Sequence, residues 1–535
     1  MKKPDKKYFD IHAPVFYPSA IIILLFISLT LLIGKPMERV FDTVKTGMAD
    51  NAGWFFVLAV NAMVAVALYF AFSRFGGIRL GGEKARPEFS TFSWFAMLFS
   101  AGMGIGLLFF SVAEPIFHYT NPPVAAIGEA EQARNAMKYT LLHWGLHAWA
   151  IYAIVGLALA FFTFNRKLPL TIRSVFYPLL GDRIHGTFGD VIDVVAVVAT
   201  LFGLATSLGF GVQQVSSGLH HLFNWPDTRW MQVFLITVIT LAATTSVVLG
   251  LDKGVRVLSI VNMRLGLLFL IAMLVLGETV YLMDTFIQTT GAYFQSILEV
   301  GSWTEAFDFR EGGGRGVWQN SWTLVYWAWW ISWSPFVGIF IARISKGRTI
   351  KEFVLGVLLV PTLLTFLWFS GFGGSALYLE LNGIGHIAQA VNENISTALF
   401  VMLEQYPLSF LTSILGIILV TSFFVTSSDS GSLVIDSITS GGKLDAPVGQ
   451  RIFWALAEGA VAATLLIGGG LQALQTAALS TGLPFTVILL IMCYSLYLGL
   501  KEEYEEMQEE KRSKERRSYQ EIIARLIDKR KEKAN

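Results

Sequence analysis

The residues best suited to chemistry stand in one run, Tyr326-Trp327-Ala328-Trp329-Trp330-Ile331-Ser332-Trp333-Ser334-Pro335. Indole and phenol faces attract cations, and they do so without requiring an N–H donor on the ligand. The run lies near the middle of an apolar stretch of roughly 27 residues (about 317–343), long enough to span a bilayer. Its tryptophans therefore cannot all be headgroup-level anchors, the usual place of tryptophan in a membrane. At 100° per residue, Trp330 and Trp333 project roughly 60° apart, and Trp329 roughly 40° from Trp333, so they share a face. Pro335 removes a backbone donor beside that face and is expected to kink the helix. Freed backbone groups are tolerated at membrane depth only where protein or a water-lined cavity satisfies them. An aromatic wall beside such a point suits an organic cation. Bulky packing between helices explains the same residues, so other segments must decide.

Three of them bear on the question. Phe92 to Gly106 carries Gly102, Gly104 and Gly106 at alternate positions. A nucleotide loop would need a strand before it and a cytosolic helix after it, and this stretch is apolar throughout. Close helix packing is one reading; an unwound stretch whose carbonyls coordinate an ion is the other. His143-Trp144-Gly145-Leu146-His147-Ala148-Trp149-Ala150-Ile151-Tyr152 supplies a second aromatic face: relative to Trp144, Tyr152 projects at about 80° and Trp149 at about 140°. Two such faces on different spans can enclose a ligand. His143 and His147 have metal-pair spacing, but no third ligand is evident, and hydrogen bonds to neighbouring helices are expected. Thr421 to Gly431 is rich in hydroxyls and includes Asp429. Hydroxyls often bond back to their own helix, but an intramembrane acid usually marks a pathway or a pair, and these oxygens suit a small hard cation.

The elements that must position these groups are membrane spans. The chain has 535 residues, is 54% hydrophobic and has a mean hydropathy of +0.57, values that fit a polytopic membrane protein. A formal net charge of +1 gives no reason to expect a nucleic-acid partner. The one cysteine, Cys493, rules out an intrachain disulfide framework. About twelve spans are expected, at roughly 15–34, 53–73, 90–112, 137–163, 188–212, 230–250, 262–284, 317–343, 353–378, 407–436, 451–468 and 474–499. The first is too long for a signal-peptide core and is read as retained. Lys and Arg concentrate in alternate loops: Arg74, Arg79, Lys84 and Arg86; Arg166, Lys167, Arg173 and Arg183; Lys253 and Arg256; Arg343, Lys346, Arg348 and Lys351; Lys443 and Arg451. Opposite loops hold only scattered examples such as Arg134, Arg229, Arg310 and Arg315. Both termini are therefore expected in the cytoplasm.

Internal symmetry is faint. Thr206-Ser207 precedes Thr426-Ser427 by 220 positions, and Gly106 precedes Gly338 by 232. Similar offsets suggest that spans three to seven repeat as spans eight to twelve, and an odd number of spans per copy forces inverted topology. The organisation expected is an N-terminal segment 1–14, two extra helices and a loop over 15–89, and a first five-helix repeat over 90–286. An extracellular connector over 287–316, with room for a helix, leads to a second repeat over 317–499 and a charged tail over 500–535. That tail reads as a solvated helix or as an amphipathic one touching lipid or a cytoplasmic loop.

The chain resembles the betaine/carnitine/choline transporter family. The resemblance rests on Trp327 to Phe336 followed by Ile341-Ala342-Arg343-Ile344-Ser345-Lys346-Gly347-Arg348-Thr349, with support from Gly102 to Gly106, Glu114-Pro115 and His143 to Tyr152. It implies an all-α polytopic membrane protein with a leucine-transporter-like inverted repeat of five plus five helices behind two extra ones, usually a homotrimer. It implies no enzyme and no cofactor, but a trimethylammonium substrate caged by Trp144, Trp149, Tyr152 and Trp330. Trp333 matches an aromatic position lining the central and inward-facing states, and Trp329 shares its face. Sodium-coupled members further imply a sodium site from the carbonyls of Ser100, Met103 and Phe423 with the hydroxyls of Thr426 and Ser427. Repeat symmetry makes Thr206 and the carbonyl of Phe336 candidates for a second. Choline- and carnitine-type members often carry aspartate at the third glycine of that stretch. Gly106 therefore favours a zwitterion such as glycine betaine with sodium coupling, imported across a bacterial inner membrane. The alternative is choline or carnitine moved by a proton symporter or a sodium-independent exchanger.

Overall fold

The computed structural model describes residues 9–102, 104–249, 255–307, 317–443 and 447–532. Met103, Lys253, Arg310 and Arg315 lie outside the described residues. Apolar runs of 18 residues or more have only one economical solution in lipid, a helix that satisfies its own backbone, and the described residues are overwhelmingly helical. First come α1 (Ala13–Ile33) and α2 (Met37–Phe72). The next five membrane passages are α3 with α4 (Thr91–Gly102 and Ile105–Thr120), α5 with α6 (Glu129–Trp144 and Leu146–Phe164), and then, after a short α7 (Tyr177–Leu180), α8 (Thr187–Phe223), α9 (Arg229–Leu249) and α10 (Val255–Leu276). After α11 (Thr279–Gly301) come α12 with α13 (Val317–Ser321 and Thr323–Ile344) and α14 (Ile350–Leu381). The short α15 (Ile387–Glu393) and α16 (Ala398–Glu404) precede α17 (Ser409–Thr439) and α18 (Val448–Glu532).

Ten helical stretches are long and apolar enough to cross a membrane. The broken α3–α4 pair adds another passage, and α18 contains two, joined where Gly469 and Gly470 leave helical geometry. Two helices followed by five plus five passages is the organisation of the described residues.

Burial sorts the helices by position. From Leu146 to Phe162, α6 buries every residue, and α13 buries nearly all from Thr323 to Ile344. By contrast α1, α9 and α10 each bury only 28% of their apolar membrane window. Lipid tails are as apolar as leucine, so such exposure carries no penalty in a bilayer. The aromatic segments of the fourth and eighth passages therefore lie at the centre of the molecule.

Three interruptions shape that centre. Gly104 is extended (φ −159°, ψ −178°) before α4 begins. Gly145 is likewise non-helical (φ −97°, ψ −144°) and separates α5 from α6. A Cβ there would lie 2.5 Å from the Leu141 carbonyl oxygen and 2.8 Å from the Tyr293 hydroxyl, so only glycine fits. The break corrects the expectation of one regular helix over 137–163: projection angles do not carry across it. Trp322, with ψ −75° and φ −121°, separates α12 from α13. Pro335, in contrast, leaves α13 unbroken, and Ser334 Oγ donates to the Ile331 carbonyl at 2.7 Å, the acceptor that proline cannot serve.

The loops rich in basic residues pack against one another. Leu80 N donates to the Arg348 carbonyl and Gly347 N to the Leu80 carbonyl, at 2.9 and 2.8 Å. Arg173, in the turn before α7, binds the fully buried Asp193 of α8 twice, by its backbone N–H at 3.0 Å and its Nε at 2.5 Å. Breaking such a pair strands a buried charge. Arg173→Met is expected to lower stability by about 3–5 kcal/mol, read from thermal unfolding in detergent, and Arg173→Met with Asp193→Asn should recover much of the loss.

Candidate functional site

One cavity is walled by side chains from the interrupted helices. Gly104 and Gly106 come from the start of α4, Trp144 from the last residue of α5, and Trp149 and Tyr152 from α6. Ser207 of α8, Trp329, Trp330 and Trp333 of α13, and Thr365 of α14 complete it. All six aromatic residues that the sequence singles out therefore line a single space. The Trp144 and Trp330 rings meet edge to face at 4.9 Å, and Trp149 meets Tyr152 the same way at 5.5 Å. Trp329 and Trp330 stack at 4.8 Å.

Four of the five indole N–H groups are tied to fixed acceptors. Trp330 donates to the His143 carbonyl at 2.8 Å, Trp333 to the Gly203 carbonyl at 2.8 Å, Trp329 to Ser207 Oγ at 3.0 Å, and Trp144 to Glu114 Oε2 at 2.8 Å. Each bond costs the ring its rotational freedom and leaves π surface toward the cavity. Gly106 is where the wall is tightest: an added Cβ would stand 2.4 Å from Trp329 Cη2 and 3.2 Å from Trp144 Cη2. Whatever Gly106 does for substrate choice, its missing side chain makes room for Trp329. Gly102 ends α3.

A second, more polar cavity adjoins the first, with Trp333 lining both. It gathers Ser100 of α3, Phe423, Thr426, Ser427 and Ser430 of α17, and Phe336, Val337 and Phe340 of α13. Four of the five residues expected at a first sodium site thus meet here, and Met103 lies outside the described residues. Ser259 and Asn262 of α10 also line it. The sequence reading missed them, although two polar residues one turn apart in an apolar span were a usable signal. Asn262 Nδ2 reaches Thr426 Oγ1 at 3.3 Å, while its buried Oδ1 has no partner. Hydroxyls, a carbonyl and an amide oxygen are the donor set of a hard monovalent cation, so these residues fit sodium.

The pair suggested for a second sodium is not gathered. Phe336 lines this polar cavity, whereas Thr206 lines neither and donates its hydroxyl to the Phe202 and Leu474 carbonyls at 2.8 and 3.1 Å.

The histidines resolve differently from one another. His147 Nε2 is 3.2 Å from Asn61 Oδ1, a helix-to-helix bond. His143 is joined by Glu114 and His118, all three fully buried with their polar atoms within 4.8 Å of one another. His118 is four residues beyond Glu114, a helical spacing that could have been read, but its approach to His143 is a tertiary fact.

An aromatic cavity next to an oxygen-lined one, at the centre of some twelve membrane passages, is the architecture of a solute transporter. The chain belongs to the BCCT family, the betaine/carnitine/choline family transporters, whose model matches residues 14–505. It is 48% identical over 503 residues to glycine betaine transporter 1 of Vibrio parahaemolyticus, covering 92% of this chain and 95% of that one. A glycine betaine/proline/choline/ectoine transporter of the same organism is 48% identical, with 92% and 88% covered. The Bacillus subtilis glycine betaine transporter OpuD is 46% identical, with 88% and 91% covered. The protein is a membrane transporter, not an enzyme.

The tight wall yields a test. Gly106→Ala must displace the Trp329 ring, and overpacking of this kind costs about 1–3 kcal/mol. Tryptophan-monitored unfolding should show that loss, whereas Gly104→Ala, with nothing within 4 Å of its Cβ, should unfold like the parent protein.

Proposed function

We propose that this transporter imports glycine betaine or a similar quaternary-ammonium solute by sodium symport with alternating access. The observation that carries the reading is the cavity of Trp144, Trp149, Tyr152 and Trp330, with Trp329 and Trp333 completing its wall. A trimethylammonium group has no N–H, so hydrogen bonds cannot select it, but each desolvated cation–π contact is worth about 2 kcal/mol or less. The names of the similar transporters, glycine betaine in each case, support the same substrate class. One of those names also includes choline, which keeps choline as the second reading. Gly106 speaks for the zwitterion: betaine brings its own carboxylate, so an acid at this position would add an uncompensated charge.

Sodium is assigned to the polar cavity, held by Ser100, Phe423, Thr426 and Ser427. Thr426 Oγ1 now donates within its own helix, to Ser422 and Phe423 carbonyls at 3.0 and 3.1 Å. Turning that one hydroxyl frees both its oxygen and the Phe423 carbonyl. An ion there would tie α3 to α17, and Trp333, lining both cavities, would relay its presence to the substrate. A cytoplasm-negative potential contributes about 2.3 kcal/mol per charge per 100 mV, so sodium entering with a zwitterion makes transport electrogenic. The basic loops support both termini on the cytoplasmic side of a bacterial inner membrane, and the family resemblance favours a homotrimer.

Uptake of radiolabelled glycine betaine and choline into proteoliposomes, with and without an inward sodium gradient, is the deciding experiment. Sodium-driven betaine accumulation is expected; choline uptake indifferent to sodium would overturn both substrate and coupling ion. Trp330→Leu should raise the betaine KM by about tenfold or more, consistent with losing roughly 1.4 kcal/mol. An unchanged KM removes it from the site. Thr426→Ala with Ser427→Ala should abolish the sodium dependence of uptake; uptake still driven by sodium in that variant would place the ion elsewhere.

A further inference from the structure

The substrate reading leaves Glu114 of α4 without a role, yet it is fully buried at membrane depth. An acid in such a place marks a function by default. Its two oxygens meet four donors from α4, α5 and α13. Oε1 faces His143 Nδ1 at 2.6 Å and His118 Nε2 at 3.3 Å. Oε2 accepts from the Trp144 indole at 2.8 Å and from the Tyr326 hydroxyl. A carboxylate has about four acceptor sites, so this group is used to capacity.

A metal is the first alternative to weigh, because Glu114, His118 and His143 cluster closely enough to hold one. The distances decide against it. Two ligands about 2.0 Å from a tetrahedral ion stand roughly 3.3 Å apart, whereas Oε1 and His143 Nδ1 are 2.6 Å apart, a hydrogen bond. The other His143 nitrogen is 2.9 Å from Thr323 Oγ1. Both nitrogens are committed.

What the cluster does instead follows from where Trp144 sits. Trp144 is the last residue of α5, beside the Gly145 break, so the helix does not continue through it. Thr365 Oγ1 holds its carbonyl at 3.1 Å, and Glu114 holds its ring. That ring packs edge-on against both Trp330, at 4.9 Å, and Tyr326, at 5.6 Å. Removing Glu114 would release the indole and strand several buried donors. The carboxylate also stands one ring behind the cavity wall, where the low dielectric lets its charge act on a cation across the indole.

We propose that Glu114 is the positioning residue of the aromatic cavity: it fixes the angle of Trp144 and lends the cavity negative potential without touching the substrate. The proposal rests on the reading of that cavity as a quaternary-ammonium site.

The test is a double-mutant cycle on betaine uptake in proteoliposomes. In Glu114→Gln only one of the two terminal atoms can still accept, so two of the four donors lose their acceptor, and the betaine KM is expected to rise about tenfold with kcat changing far less. In a Trp144→Phe background, which has no indole N–H to hold, only the loss of charge remains, so the same change should cost less than it does in the parent. A parental KM for Glu114→Gln, or losses that simply add, would overturn the proposal. Should Glu114→Gln fail to reach the membrane, Glu114→Asp carries the same cycle, because withdrawing the carboxylate by one methylene also lets go of the ring. The charge is read with 3,3-dimethylbutanoate, the shape of betaine without its positive centre, as competitor. Glu114→Gln should narrow the preference for betaine over it, and an unchanged preference would overturn the electrostatic half. Trp144→Phe and Trp330→Leu alone separate the two levels. If neither alters KM, the cavity is not the substrate site; if both do and the Glu114 variants do not, only the present inference fails.

Discussion

Inside a bilayer no water stands ready to replace a lost hydrogen bond, so every backbone group freed by a break must find a partner in the protein. The centre of this molecule is built around that constraint. The Gly145 break frees the Leu146 amide, which donates to the Tyr293 hydroxyl at 3.0 Å. The His143 and Trp144 carbonyls, beside the same break, accept from the Trp330 indole and the Thr365 hydroxyl. Satisfying the backbone and fixing the aromatic rings are thus one act. A helix without the break would need neither Tyr293 nor Thr365 there, and Trp330 would lose its anchor.

The same bookkeeping explains why the second cavity differs in character. Along α17 the hydroxyls of Ser422 and Thr426 bond back to their own helix, so the oxygens are satisfied yet movable by a hydroxyl rotation. The aromatic cavity ties four of its indoles to fixed acceptors, while the polar cavity holds its oxygens loosely at its surface. A rigid wall suits a bulky, weakly hydrated headgroup. Adaptable oxygens suit a small ion that must shed and regain its hydration.

Much of this was legible in the sequence because its signals are local. Hydropathy located the passages, since length and apolarity are set by the bilayer, but not every end: α2 begins 16 residues before the expected span and α8 ends 11 residues beyond it. The clustering of Trp329, Trp330 and Trp333 followed from helical spacing alone, as α13 is continuous through them. The break at Gly145 was not legible: a single glycine in an apolar run is usually tolerated in a helix, and only the approach of Tyr293, 148 positions away, makes it obligatory. Repeat symmetry does not extend to the packing partners of individual residues, for a similar reason. Gly338, the suggested counterpart of Gly106, packs against Val155 within an unbroken helix, and Thr206 is committed to Leu474. Equal spacing in sequence does not impose equal partners. Glu114, His118 and Tyr326 were visible as residues, but their convergence on His143 and Trp144 is a product of packing.

A cavity walled largely by indole faces selects by exclusion. An ammonium bearing N–H groups gives up hydrogen bonds to water on entering, and an indole, whose N–H can only donate, offers it a π-face and no acceptor. Unmet donors of that kind cost about 1–3 kcal/mol each. A trimethylammonium group has none to lose, and it gains the same attraction to the rings. Discrimination against primary amines thus comes less from what the cavity offers the favoured headgroup than from what it withholds from the others. The indole bonds to Glu114, His143, Gly203 and Ser207 hold those faces in place.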